Sequence, residues 1–149
     1  MAVLRDNPYG EFNFLVDLGI ADPDTPSGGF QECSRIGTEV SVAEYRNGND
    51  RLNSVRKITG LDKALDVTLR RGVIGSLNLF QWLDQIRNGD QGAVRDVRIQ
   101  LLSEDRSVAL TWLLRQARIV KYVAGPLNAK GTDVAMEELT LAYERLEME

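Results

Sequence analysis

Apolar and polar positions alternate along most of this chain with a period of two, the spacing of half-buried strands. Phe12, Phe14, Val16 and Leu18 alternate with Asn13, Leu15 and Asp17 between Gly10 and Gly19, which predicts a first strand with one apolar face. The segment ADPDTPSGG at 21–29 has the composition of a turn. A second strand is expected over 30–36, broken by Gly37, and a third over 39–45, where Val40 and Val42 alternate with Ser41 and Ala43. Further on, Leu65, Val67 and Leu69 alternate with Asp66, Thr68 and Arg70. Val97, Ile99 and Leu101, the turn SEDRS at 103–107, and then Val108, Leu110, Trp112 and Leu114 predict a hairpin. A separate strand over 117–123 and a Gly/Pro loop at 125–131 follow.

The period changes once. Ser76 is placed to cap a helix that carries Leu79, Phe80, Leu83 and Ile86 on one face and stops at Asn88-Gly89. Trp82 falls off that face, where an aromatic either covers the edge of the core or meets a neighbouring subunit. The segment DVAMEELTLAYERLEME at 133–149 reads both ways. Propensity alone favours helix, while Val134, Met136, Glu138, Thr140 and Ala142 against Ala135, Glu137, Leu139, Leu141 and Tyr143 also fit a strand with one apolar edge. With about seven or eight strands against one secure helix, the chain is mainly β. Sheets of this kind have edge strands that can join another chain.

Between the third strand and the strand at 64–72 lies a polar arm of about twenty residues, too long for an ordinary connection. It carries Arg46, Asn47, Asp50, Arg51, Asn53, Arg56 and Lys57, and has no apolar face of its own; only Tyr45, Val55 and Ile58 could pin it. It is either a solvated loop or a surface for a partner.

Composition removes several functions. The 149 residues fit one domain, 1–149, with the arm extending over about 46–60, and 43% hydrophobic with 27% charged residues is ordinary for a globular chain. Histidine is absent, which excludes Ser-His-Asp and Cys-His catalysis and His-ligated metal centres. Cys33 is the single cysteine, so no disulfide forms within the chain, and it is expected to pack in a strand. Asp22 and Asp24 flank Pro23 and fall far short of a calcium loop. No catalytic, cofactor or metal site is therefore assigned. A net charge of −4 without a basic block argues against tight duplex binding, yet suits a wall along which a polyanion slides. No apolar run is long enough for a membrane span, and MAVLRDN lacks a secretory signal, so synthesis is expected in the cytoplasm.

Several segments then add a resemblance: NPYGEFNFLVDLG at 7–19, GFQECSRI at 29–36, EYRNG at 44–48, KITGL at 57–61, VTLRRGV at 67–73, LFQWLDQIRNG at 79–89 and GTDVAMEELTLAYERLE at 131–147. In this order and spacing, over nearly the whole chain, they resemble the tail tube proteins of contractile phages and phage-tail-like injection systems. The type VI secretion tube protein is a more distant relative of that family. The resemblance implies two packed antiparallel β-sheets, as a sandwich or barrel, with one flanking helix, and no enzymatic activity. It turns the C-terminal ambiguity toward strand. It also implies six-membered rings stacked into a tube inside a contractile sheath, assembled into a virion or injection apparatus. The partners would be further copies of the chain, the sheath protein, baseplate or spike and tube-terminating proteins, and a cargo of DNA or protein effector in the lumen. The arm would contact the adjacent ring through Glu44, Tyr45, Arg46, Asn47, Asp50, Arg51, Arg56 and Lys57. Asp66, Thr68 and Arg70, opposite the apolar Leu65, Val67 and Leu69, are the candidates for lining the lumen. A tube initiator or tail adaptor near the baseplate is the alternative within the family, and a small-ligand β-barrel the alternative outside it.

Overall fold

The computed structural model describes residues 2–19 and 29–149, so the turn expected at 21–29, with Asp22 and Asp24, lies outside the described residues except for Gly29. Nine strands and one helix follow in the order β1 (Phe14–Asp17), β2 (Glu32–Cys33), β3 (Thr38–Tyr45), β4 (Arg56–Ala64), β5 (Val67–Gly72), α1 (Asn78–Arg87), β6 (Arg95–Leu102), β7 (Val108–Ala124), β8 (Met136–Ala142) and β9 (Arg145–Met148). Seven strands form one antiparallel ladder in the order β1-β6-β7-β8-β5-β2, with β9 also on β7, while β3 and β4 pair only with each other.

The ladder folds into two layers because β7 belongs to both. Its first half lies between β6 and β9, and from Arg118 onward it pairs with β8. At the change of partner, Gln116 takes a positive φ of 55° and the β6 register shifts between Arg95 and Val97, a bulge that turns the strand. The hairpin strand and the separate strand expected at 117–123 are thus one strand of 17 residues. The first half meets the core as the alternation expects, through Leu114 and the partly buried Trp112. Val108 is exposed and Leu110 and Trp112 are half-buried, whereas Ala109, Thr111, Leu113 and Leu114 are buried. Adjacent Leu113 and Leu114 point to opposite faces, so both sides of β7 are covered there.

The core lies between the layers. Val16, Val97 and Ile99 from one side meet Val67, Leu69, Ile119, Leu139 and Leu141 from the other, and α1 closes the cluster with Leu79 and Trp82. The C-terminal segment is strand, because Leu139 and Leu141 pair with Leu69 and Val67 and face this core; cross-strand packing overrides helix propensity. The layers do not close into a barrel.

Several boundaries differ from the alternation. Phe12 lies outside β1 and is exposed, β2 is only two residues long, and Leu65 is exposed just before β5. The helix turns Trp82 inward, 1% exposed with its Nε1 donating to the Ala93 carbonyl at 2.6 Å, and leaves Phe80 44% exposed. Ser76 is not its cap: Leu77 occupies that position with no side-chain cap, and Ser76 Oγ accepts only a 3.4 Å bond from the Asn78 amide. Asn88-Gly89 is the stop, Gly89 adopting the positive φ of 87° common just past helix ends.

Candidate assembly surfaces

The polar arm is a hairpin, not a loop. β4 begins at Arg56, inside the expected loop, and Tyr45↔Arg56, Glu44↔Lys57, Ala43↔Ile58 and Val42↔Thr59 pair across it. Every residue of β3 is exposed, as is every residue of β4 before Ala64. The reading of an arm without apolar character is corrected as well. Val40, Val42, Leu52, Val55 and Ile58 are exposed, and Leu61 is 83% exposed, so the apolar positions pin nothing within the chain. Leu52, Val55, Ile58 and Leu61 escape an alternation test because a two-stranded ribbon has no covered face.

The tip is ordered by its own polar groups. Arg46 Nε donates to the Leu52 carbonyl at 3.1 Å and its Nη2 to the Asp50 carbonyl at 3.1 Å. Asp50 Oδ2 accepts the Asn47 amide at 3.0 Å, Asn47 Oδ1 accepts the Tyr45 hydroxyl, and Arg56 stands 3.7 Å from Asp50. Tyr45, Arg46, Asn47 and Asp50 therefore build the tip. Glu44, Arg51 and Lys57 project from it with no ion pair among the described residues, and Arg56 is mostly solvent-facing.

The second set of candidates shares a surface. Thr68 and Arg70 lie on the outer face of the layer β7-β8-β5-β2, and exposed Asp66 precedes β5. Cross-strand register extends this face to Glu32, Glu138 and Val123 level with Arg70, and to Thr140 and Lys121 level with Thr68. Arg70 reaches Glu32 at 3.4 Å and Glu138 at 3.7 Å, so its charge is balanced on both sides. Thr68 Oγ1 and Thr140 Oγ1 are 3.3 Å apart. Glu138 and Thr140 were visible in the sequence as the polar side of the C-terminal alternation, but which strand they join depends on register.

Beneath this face Arg71 and Glu137, 5% and 3% exposed, pair at 2.5 Å, and Glu137 Oε2 accepts the Tyr122 hydroxyl. Burial first, then the Glu137 carboxylate, pushes the Tyr122 phenol up to about 12. Cys33 is half-buried on β2, and burial pushes its thiol up to about 11, which keeps it protonated. Among the described residues no helix is long and apolar enough to cross a membrane.

Among the described residues, two strand edges of this layer are unpaired. Residues 118–124 of β7 have β8 on one side and, among the described residues, no strand on the other, and β2 ends the opposite side of the same layer.

This arrangement of layers, helix and hairpin has known counterparts. The family model described as T4-like virus tail tube protein gp19 matches residues 10–147. The chain belongs to the T4-like tail tube protein family. This tail tube family member is accordingly a structural component of a phage tail or contractile injection system, not an enzyme. It is similar to a chain in the cryo-EM structure of an extracellular contractile injection system, the PVC sheath-tube complex in the extended state. Identity is 26% with a TM-score of 0.80, covering 95% of this chain and 91% of that one. A chain in the PVC sheath/tube terminator structure matches at 26% identity and a TM-score of 0.81, covering 97% and 98%. The fold alone is shared with a chain in the anti-feeding prophage tube-terminating cap, at 23% identity and a TM-score of 0.81 over 100% and 95% of the two chains. Comparison with curated proteins finds no match.

Proposed function

We propose that this tail tube family member, acting as one unit over 1–149, is the repeating subunit of an inner tube. Six copies close a ring and rings stack around a lumen, inside a sheath whose contraction drives the tube forward. The observation that carries the reading is the pair of free edges in one layer of a tail tube fold. Joining the 118–124 edge of one copy to β2 of the next continues the sheet from copy to copy and leaves no edge of that layer exposed. The face bearing Asp66, Thr68 and Arg70 then lines the lumen together with Glu32, Lys121, Glu138 and Thr140. With Arg70 balanced by Glu32 and Glu138, such a wall offers a passing cargo, nucleic acid or protein, little to bind.

The hairpin is the contact to the adjacent ring. Tyr45, Arg46, Asn47 and Asp50 shape its tip, and Glu44, Arg51, Arg56 and Lys57 present charge to the partner. A lone two-stranded hairpin is at best marginally stable in water, so one held outside its own fold is completed by another chain. The sheath protein, baseplate or spike proteins and a tube terminator are the further partners.

Negative-stain microscopy of the overexpressed protein, alone and with the products of neighbouring genes, tests the reading. Stacked rings or tubes are expected; a monodisperse monomer at high concentration would sink it. Particles holding only one ring of the chain would move it from tube to initiator.

A further inference from the structure

The two layers are joined along β7 and open on the opposite side, where β1 ends one layer and β2 ends the other. Between these edges lies a groove of about 730 Å³. Its apolar lining is Phe12, Phe14, Ile36, Ile99, Leu101 and Trp112. Among the described residues the charged groups of its wall are Glu11 and Glu32, the latter already paired with Arg70 at 3.4 Å, with no lysine or arginine. Elsewhere on the same chain the hairpin holds Leu52, Val55 and Ile58 exposed. Over 46–57 it carries Arg46, Arg51, Arg56 and Lys57 against the single carboxylate of Asp50. Its main contact with the rest of the fold is between β4 and β9.

We infer that the groove between β1 and β2 is the seat of the hairpin tip of a second copy of the chain, with Leu52, Val55 and Ile58 entering the apolar floor and Arg51 meeting Glu11. The inference rests on the proposed tube and names where its arm lands. Charge and apolarity match on both parts: a basic tip with exposed aliphatic side chains faces an acidic-walled, aromatic-floored groove. The geometry also supplies a direction. Donor hairpin and acceptor groove are different surfaces of one chain, so the contact is heterologous, the kind that runs on as an open filament when its rotation does not close. The open edge of β1 offers backbone groups beside the groove, which leaves the outer edge of β2 for the lateral neighbour.

Cys33, the single cysteine, is itself part of the groove wall and makes the test direct. Leu52→Cys, or Val55→Cys as the second position, is assembled and oxidised with copper phenanthroline, and the products are run without reductant. Linking through Cys33 gives a ladder of many chain lengths, since each copy donates once and accepts once. Pairing between two copies of the introduced cysteine stops at dimers, and adding Cys33→Ser must abolish the ladder. In parallel, Arg51→Glu should lower tube yield about tenfold or more, and adding Glu11→Arg should restore it. Tubes that form normally but give only dimers, together with no rescue by the charge swap, would overturn the groove as the seat and leave the tube standing. Wild-type protein that forms neither rings nor tubes would bring down the tube, and this inference with it.

Discussion

Trp82 illustrates how one residue's role is decided by a hydrogen bond. Its ring fills the space between α1 and the sheet, and its Nε1 satisfies the Ala93 carbonyl. Trp82→Phe should cost about 1–3 kcal/mol, because that carbonyl loses its buried donor, and Trp82→Ala about 3–5 kcal/mol, because a large cavity is added. Urea unfolding monitored by circular dichroism checks both. The buried Arg71–Glu137 pair behaves differently. Arg71→Leu alone leaves a carboxylate uncompensated in the interior and should cost about 3–5 kcal/mol, while Arg71→Leu with Glu137→Leu should recover much of that loss. A double-mutant cycle measures the difference. At the surface, Arg5 holds the Glu104 carboxyl down to about 2 through a 2.6 Å ion pair, and Arg5 also stacks on Tyr9. The depressed value means that this clasp on the N-terminal segment is complete above the ordinary glutamate value of 4.5 and lost as pH falls toward 2. The protection factors of the backbone amides in residues 2–9, taken relative to intrinsic exchange at each pH, should fall over that interval, and in Glu104→Gln they should already be lowered at neutral pH.

At the scale of elements, the hairpin β3–β4 is separable from the core. Replacing 46–57 by a tight turn should leave the unfolding free energy within about 0.5–1 kcal/mol, since no buried apolar contact is lost, and should abolish ring stacking. Intact stacking in that deletion would remove the arm's role. Within the arm, Arg46→Ala should loosen the tip without moving the global melting transition, a change readable as faster exchange at the Asn47 and Asp50 amides. Strand β8 is the opposite kind of element. Its identity depends on partners far away in sequence, and Leu141→Ala, which opens a cavity beside Val67 and Ile119, should cost about 2–5 kcal/mol.

For the whole molecule, the free edges, the unsupported hairpin and the open side of the sandwich are one observation made three times: the chain buries its core and leaves its strand edges unfinished. Period-two alternation was enough to announce a mainly β chain, because a half-buried strand must repeat every second residue, and the absence of histidine was enough to dismiss most catalysis. Family-like segments such as EYRNG and VTLRRGV carried the identity, and the C-terminal strand with it. The pairing of strands was not legible. β5 joins β8 across about seventy positions, β7 changes partners at a bulge centred on a residue with positive φ, and neither leaves a local mark in composition. The arm could be seen as too long to be a plain connection, but its second strand could not, because a ribbon with no covered face shows no alternation. Which side of Trp82 faced inward likewise waited for the Ala93 carbonyl to be placed. Local sequence determined what each segment could become, since propensity and periodicity act within a few residues. Tertiary structure alone decided which edges remain free and which charges share a face, because both are set by contacts between segments that the chain brings together only on folding.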